Sequence, residues 1–315
     1  MCIKPSLDIV IVNWNSGSFL RECLRSICSA CNENFELAHV VVVDNDSSDG
    51  SAEGLQFPGL PLTVIKNCDN QGFAAACNQA AKGSGANYLL FLNPDTALLS
   101  DSLAAPIQFM QQAENSKIGI CGVQLLDETG HVARTCSHFP TPGLLCARML
   151  GLDKLFPRLI PPQFLSENEL RFSQTVDQVI GAFMLVRRRL FQELGGFDER
   201  FFLYFDDVDL SLRSRQLGYG SYFLSEARAC HAENKCTRNV QGTALFYYLR
   251  SRIKYSWKHF GTFQGIAVLF ATICLEPLGR VVRGIYRGSL AELRETFTAY
   301  LKLWRETPRL ILKRD

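Results

Sequence analysis

The apolar run Tyr88-Leu89-Leu90-Phe91-Leu92 stops at Asn93-Pro94-Asp95. A buried strand that ends this way carries an amide and a carboxylate at its tip, and such a carboxylate can hold a hard divalent cation. Two other apolar runs end alike: one reaches Asn13-Trp14-Asn15, the other Asp44-Asn45. Farther along, Asp206 and Asp207 stand side by side after the aromatic residues Phe201, Phe202, Tyr204 and Phe205. Such surroundings raise a carboxyl pKa toward that of a general base. Acidic residues in a first helical turn also suit the helix dipole, which by itself would account for Asp206, Asp207 and Asp209. His231, at the end of Gly220–His231, is the best placed of five histidines for a metal. A lone histidine serves as readily as a hydrogen-bonded structural residue.

Elements must carry these side chains to one place. Leu7–Val12 is a short β-branched run and reads as a strand. Phe19, Leu20, Cys23, Leu24 and Ile27 recur at helical spacing, so a helix follows. Ala38–Asp44 and Pro61–Asn67 read as strands, Gly72–Gly83 as a helix closed by Gly83, and Asn87–Asp95 as a fourth strand. Continuous apolar strands separated by helices predict an α/β fold, with a mostly parallel sheet covered on both faces. Open parallel sheets bind ligands at the carboxyl ends of their strands. Asp and Asn favour turns after any strand, but three such ends in one half-sheet mark a binding site. In the second half, Val179–Arg188 reads as a buried strand and Gly195-Gly196 as a turn. Asp206–Gly218 reads as a helix and Gly220–His231 as a strand.

The usual phosphate cradles are missing. No GxGxxG follows the first strand and no GxxxxGK[ST] occurs anywhere, which argues against a dinucleotide-dependent oxidoreductase and a P-loop nucleotidase. A divalent metal is then the natural counter-charge for a bound phosphate, with Asp95 the candidate ligand.

Charge divides the chain. Residues 1–245 hold 20 Lys/Arg against 26 Asp/Glu, and residues 246–315 hold 13 against 5, which together give the net +2. The longest apolar run, residues 263–275, falls short of the roughly 20 residues that span a bilayer. Glu276-Pro277 ends it, and Arg280, Arg283, Arg287, Arg294, Lys302, Arg305 and Arg309 follow among apolar residues. This patterning suits an anionic membrane surface or, alternatively, a basic helical cap on the domain. Nucleic acid is not expected, because no recognised binding motif accompanies the basic residues. The N-terminal apolar run is too short for a signal-peptide core, and the twelve scattered cysteines read as reduced thiols of a cytosolic protein. The CxxC of Cys28 and Cys31 lacks the second pair of a zinc site, and Cys230/Cys236 around His231 match no common zinc spacing.

Taken in order, "IVIVNWNSGSFLRECLRSI", "VVVDNDSSDGS", "NQGFAAACN", "LLFLNPDT", "GAFMLVRR", "GGFDERFFLYFDDVDLSLR" and His231 resemble the inverting, nucleotide-sugar-dependent glycosyltransferases of family 2. The nearest likeness is to bacterial rhamnosyltransferase-like members that build surface polysaccharides. It covers roughly residues 7–260. It implies a GT-A fold over 1–245, with a Rossmann-like nucleotide-sugar half to about 125 and an acceptor half from about 126. A basic, apolar helical extension over 246–315 completes the expectation. The resemblance puts Asn13, Trp14, Asp44, Asn70, Gly72 and Asn93 about the nucleotide-sugar. It makes Asp95 and His231 ligands of Mn²⁺ or Mg²⁺, Asp207 the catalytic base, and Asp206 and Gly181 part of the acceptor side.

What it implies functionally is transfer of a rhamnose-like sugar from a dTDP- or UDP-sugar to a glycan or lipid-linked glycan. The enzyme would work in the cytoplasm, at the inner face of the membrane. The chain departs from the family pattern at Asp206, where Glu is usual, at Ala76 for Gly, at Gln178 for Trp and in the loop "AENKCTRN" after His231. No QxxRW occurs, so transfer of one or a few sugars fits better than polymerisation. Two rival readings remain. A sugar-phosphate nucleotidyltransferase would need a Gly-rich basic loop where "NWNSGSFLRE" stands, and an inactive scaffold subunit would not need Asp95, Asp207 and His231 intact. Residues 131–175, with five prolines, read as irregular.

Overall fold

The computed structural model describes residues 4–232 and 241–312. In chain order the elements begin with β1 (Ser6–Asn13), α1 (Phe19–Ala30), β2 (Glu36–Asp44), β3 (Leu62–Lys66), α2 (Phe73–Ala81), β4 (Tyr88–Leu92) and β5 (Thr96–Leu98). Next come α3 (Ala104–Gln111), β6 (Ile118–Leu126), β7 (Cys136–Ser137), α4 (Pro142–Met149), α5 (Leu152–Leu155), β8 (Gln174–Val176), β9 (Gln178–Val179) and β10 (Phe183–Arg187). The last are α6 (Arg188–Glu193), α7 (Asp206–Gln216), β11 (Gly220–His231), α8 (Gln241–His259), α9 (Thr262–Phe270), α10 (Glu276–Tyr286) and α11 (Leu290–Leu312). They form two compact units. One comprises Met1–Phe139, Phe164–Glu199 and Asp206–Cys236; the other comprises Pro140–Gln163, Arg200–Phe205 and Thr237–Asp315.

The first unit is built on a nine-stranded sheet of order β3-β2-β1-β4-β10-β6-β11-β5, with β8 also paired to β11. β1 is parallel to β2 and β4, β2 to β3, and β6 to β11. β10 runs antiparallel between β4 and β6. The sheet is therefore mostly parallel, as the apolar runs predict. Its β-branched strands bury both faces. On one face Leu7, Ile9 and Ile11 pack with Leu20, Cys23, Leu24 and Ile27 of α1. On the other, Val10 packs with Ala74, Cys77 and Ala81 of α2. Alternation along one strand thus feeds two cores, and each fully buried Leu or Ile contributes about 1.5–3 kcal/mol. The segment 179–188 does not form one strand: β9 and β10 are separate, with Gly181 between them.

The second unit is helical. Phe246, Leu249 and Ile253 of α8 pack with Ala299, Tyr300 and Leu303 of α11, and Leu145 and Met149 of α4 with Val268 and Ala271. Part of the region expected to be irregular, residues 142–155, is thus α4 and α5. Glu276-Pro277 ends the apolar run but not the helix. A π turn, Ala271–Leu275, joins α9 to α10 just before Pro277, and the Ile273 carbonyl, which Pro277 has no N–H to meet, accepts from Trp304 Nε1 at 3.1 Å. The continuous helix Thr262–Tyr286 has 25 residues and is long and apolar enough to cross a membrane. A buried helix of a soluble protein can have the same length and composition.

Candidate functional site

The carboxyl ends of β1 and β2 are in register, Asn13 opposite Asp44. Asn13 is 0% exposed. Its amide donates to Asp44 Oδ1 at 2.9 Å, Ser51 Oγ at 2.9 Å and Ser47 Oγ at 3.1 Å, and its Oδ1 accepts from Ser16. Asn15 N donates to Ser47 Oγ at 3.0 Å and Gly17 N to Asp49 Oδ2 at 2.8 Å. The two loops that follow the strands are therefore knitted together, with Asn13 holding one oxygen of Asp44. Trp14 is half-buried beside it.

The next residue in each direction extends the network. Asn45 Nδ2 donates to Gly72 O at 3.0 Å, and Asn70 Oδ1 accepts from Gly72 N at 2.9 Å. Gly72 has φ +87° and precedes α2, a left-handed conformation that a side chain would strain. Asn70 and Gly72 are thus brought to the same corner as Asp44.

Asn93-Pro94-Asp95-Thr96 is a β-turn closed by Thr96 N donating to Asn93 O at 3.1 Å, and proline suits its second position. The turn is pinned to the start of β10: Asn93 N donates to Ala182 O at 3.1 Å, and Thr96 Oγ1 to the same oxygen at 3.2 Å. β5 then pairs with the end of β11, Thr96 opposite His231, and Ala232 N donates to Asp95 O at 3.0 Å. That clamp sets His231 Nε2 3.3 Å from Asp95 Oδ1. Both side chains are buried, and His231 Nδ1 meets no partner among the described residues. Most of the loop after His231, Cys236 included, lies outside the described residues.

Asp207 reaches the same stretch of chain. Its Oδ2 accepts from Gly181 N at 3.0 Å and from Gln178 Nε2 at 2.9 Å, and its Oδ1 from Val208 N at 2.8 Å. Burial raises its pKa above the usual carboxylate range, and the donors from Gly181, Val208 and Gln178 pull it part of the way back. Asp206 is fully enclosed; burial first and the neighbouring Asp207 charge second push it well above that range. The adjacent carboxyls therefore titrate as a pair, with the charge favoured on Asp207, where the donors are. The chain enters α7 through Tyr204 and Phe205, at φ +65° and +66°. For bulky residues that is a strained conformation. The cause is not dipole compensation alone, since Asp207 is fixed by residues of another element.

Asn13, Asp44, Asn70 and Gly72 thus form one cluster, and Asn93, Asp95 and His231 a second. Asp207 and Gly181 form a third, joined to the second at Gly181-Ala182. Asp206 lies behind Asp207. Sequence reading placed Asn45 at a strand end but missed Ser47 and Ser51 as organisers of the first cluster; the Asp- and Ser-rich stretch Asp46–Ser51 after β2 was their signal. The profile of Glycosyl transferase family 2 matches residues 8–195, well over half of the chain.

The chain belongs to glycosyltransferase family 2.

Among its relatives, Rhamnosyltransferase WbbL of Escherichia coli is 29% identical over 254 residues, 78% of this chain and 91% of the relative. The N-acetylglucosaminyl-diphospho-decaprenol L-rhamnosyltransferase of Mycobacterium tuberculosis is 26% identical over 240 residues, 71% of this chain and 75% of the relative. The mannosyltransferase PcManGT of Pyrobaculum calidifontis, solved with GDP-Man and Mn²⁺, superposes with a TM-score of 0.58 at 17% identity. It covers 97% of this chain and 89% of its own. That likeness establishes the fold: this family 2 glycosyltransferase has the GT-A architecture. The described cysteines of the enzyme are free thiols.

Whether the second cluster suits a metal can be judged on its chemistry. Among the described residues no group of three or more His, Cys, Asp or Glu side chains is arranged to hold an ion. Asp95 and His231 offer one oxygen and one nitrogen 3.3 Å apart, close to the separation of neighbouring donors on one small divalent ion, roughly 3 Å for bonds of about 2.1 Å. Mg²⁺ and its relatives commonly take one or two protein ligands and complete their shell with phosphate oxygens and water. The pair therefore fits an ion shared with a diphosphate.

Proposed function

We propose that the protein is a metal-dependent, inverting hexosyltransferase. In this reading it moves a rhamnose-like sugar from a dTDP- or UDP-sugar to a hydroxyl of a glycan or lipid-linked glycan. The observation that carries the reading is the meeting of two carboxylate stations at Gly181-Ala182: Asp207 on the Gly181 amide and the Asn93-Pro94-Asp95 turn on the Ala182 carbonyl. An inverting displacement needs a base on the acceptor side and charge compensation on the leaving-group side.

Each cluster then has a task. Asp44, oriented by Asn13, accepts from the pyrimidine base, and Trp14, Asn70, Gly72 and Asn93 line the nucleotide-sugar. Asp95 and His231 would hold Mn²⁺ or Mg²⁺, and the bound ion supplies positive charge against the departing diphosphate. Asp207 takes the proton of the acceptor hydroxyl, which attacks the anomeric carbon from the face opposite the diphosphate. Gly181 borders the acceptor, and Asp206, expected on that side too, is enclosed next to Asp207 and supports it from within the protein.

The rhamnosyltransferase names of the relatives favour the sugar, and the decaprenol-linked substrate in one of those names favours a lipid acceptor. An acceptor of that kind calls for a membrane surface, and the helical unit has a face for one. Phe263, Ile266 and Phe270, and after a gap Leu278, Val282 and Ile285, are exposed at three- and four-residue spacing along Thr262–Tyr286. Arg283 and Arg287 are exposed near the end of the same helix. The enzyme would then lie peripherally on the cytoplasmic side.

Thermal shift with dTDP, UDP and GDP, each with Mn²⁺, Mg²⁺ or EDTA, tests the donor. Metal-dependent stabilisation by dTDP or UDP that Asp95→Ala removes supports the reading. Transfer from dTDP-rhamnose to a polyprenyl-diphosphate sugar tests the acceptor, and the absence of any nucleotide response together with no transfer would refute the whole.

A further inference from the structure

Asp207 has four lone-pair positions and three donors. Gln178 Nε2 and Gly181 N fill both positions on Oδ2, while Val208 N occupies one on Oδ1. One position, on Oδ1, remains for a proton. Asp207 is half-buried, unlike the enclosed Asp206 beside it.

What fixes Oδ2 is itself fixed. Gln178 is 2% exposed and uses its whole amide: one N–H goes to Asp207, the other to Val179 O at 2.8 Å, and its Oε1 accepts from Ser137 Oγ. Two groups that can only accept, the Asp207 carboxylate and Val179 O, set which way the amide faces, and the Ser137 hydroxyl holds it there by donating to Oε1; a flipped amide would set an oxygen against the carboxylate. Ser137 and Gln178 are register partners in the two-stranded β7–β9 ribbon. That ribbon is seated closely on the main sheet: a Cβ at Gly122 of β6 would stand 2.7 Å from Val179.

We infer that Asp207 receives the acceptor proton on Oδ1, and that Gln178 and Ser137 are positioning residues that reserve Oδ2 as the anchor. The inference rests on the base role proposed above for Asp207. In the step, the acceptor O–H proton moves to Oδ1 and the acceptor oxygen forms its bond to the anomeric carbon. The bond from that carbon to the diphosphate breaks, and its electron pair leaves on the phosphate oxygen. The other charged or titratable groups about the carboxyl are Asp206 and Asp209 on the same helix, Arg213 paired to Asp209 at 2.7 Å, and Cys77 of α2 facing Asp206. Gln178 is the side chain from another element that donates directly to the Asp207 carboxylate.

The test is the pH profile of kcat/KM for Gln178→Met, Ser137→Ala and Asp207→Asn, with donor KM followed in parallel. Gln178→Met keeps the length of the side chain but donates nothing. Its acid limb should move up by about one pH unit, because the ionised carboxylate loses a donor. kcat should fall roughly tenfold to a hundredfold with donor KM unchanged. Ser137→Ala, which takes the donor from Gln178 Oε1 and loosens the amide, should move the limb the same way by less, and it serves alone if the Met variant does not fold. A purely packing role would lower melting temperature and leave the limb in place; an unmoved limb in the variants that fold overturns the inference. Full activity in Asp207→Asn would instead overturn the base assignment, and this inference with it.

Discussion

His231 Nε2 stands 3.3 Å from Asp95 Oδ1 because β5 pairs with the end of β11, bringing together residues 136 positions apart (231 − 95). Neither residue has a local reason to be there. The turn at Asn93-Pro94-Asp95 is pinned to Ala182, and the backbone of Ala232 is hung from Asp95 O. The arrangement spends backbone hydrogen bonds on placing two metal-competent side chains at a strand end.

The first prediction concerns that pair. Asp95→Asn keeps shape and hydrogen-bonding capacity but removes the charge that a hard cation needs. Titration calorimetry of Mn²⁺ in the presence of dTDP or UDP should show affinity lowered at least tenfold. His231→Ala should weaken it by a smaller factor. Unchanged metal affinity in both variants would show that the ion, if used, is held elsewhere.

The second concerns Asp207. Removing a general base typically costs about 10²–10⁴ in rate, so Asp207→Asn should lose transfer to that extent and still bind donor. The sign of the pH dependence follows from burial. The carboxyl pKa lies above its ordinary value, and the base works only when ionised. Activity should therefore fall on the acid side at a pH above the usual carboxylate range. A limb at or below the range of a free aspartate would contradict the burial.

Much of this was legible from residues alone. Apolar β-branched runs that end in Asn or Asp announced strands and a mostly parallel sheet, with polar side chains gathered at the strand tips. The spacing of Leu20, Cys23, Leu24 and Ile27 announced the helix that covers one face. Strand direction was not legible, since period-two burial is the same both ways, and so β10 enters antiparallel without a mark on its sequence. Nor was the depth of Asn13, whose type suggests a ligand contact but whose amide is consumed by Asp44, Ser47 and Ser51. The tie between Gln178 and Asp207 also has no local pattern. Residues 140–163 join the C-terminal helices in one compact unit, a grouping that only tertiary packing decides.

The third prediction tests that buried amide. Asn13→Ala leaves the buried Asp44 Oδ1 and Ser51 Oγ without that donor and the buried Ser16 hydroxyl without its acceptor, while Ser47 Oγ keeps its bond from Asn15 N. Each buried unsatisfied group costs about 1–3 kcal/mol. Urea denaturation should show a loss of at least that size, and donor KM should rise because Asp44 is no longer held. A loss below 0.5 kcal/mol, to order of magnitude, would mean that the loops repack freely.

The fourth concerns the helical unit. Glu276 is buried between Arg252 and Arg280, which binds at 2.9 Å, and Arg252 also donates to Thr272 at 3.0 Å. Burial by itself would raise the Glu276 pKa, but the two guanidinium charges outweigh it and hold the carboxyl below its ordinary value. A depressed folded pKa gives stability that is present above the unfolded value of 4.5 and is lost as pH falls through the folded one. Glu276→Gln should cost about 3–5 kcal/mol at neutral pH by leaving Arg252 buried without its partner. It should also flatten the loss of stability expected of the parent as pH falls through the folded Glu276 pKa. Melting curves across pH check both signs.

The last prediction concerns the exposed face of Thr262–Tyr286. Phe263 is 90% exposed and Ile285 65%, while Val268, Ala271, Thr272 and Glu276 of the same helix are buried. A helix with one face fixed to protein and a buried carboxylate on it is ill suited to cross lipid. The opposite, apolar face with arginines at its end suits the interface plane. Co-sedimentation should therefore show binding to vesicles containing phosphatidylglycerol and much weaker binding to neutral ones. Each exposed arginine removed should cost about 1 kcal/mol of that binding at low salt. Phe263→Ser with Phe270→Ser should reduce binding to both kinds of vesicle, because the apolar term does not depend on lipid charge. Transfer to a short, water-soluble acceptor should be untouched in these variants, and transfer to a lipid-linked one should fall. Equal loss with both acceptors would place the effect in folding and remove the case for a membrane face.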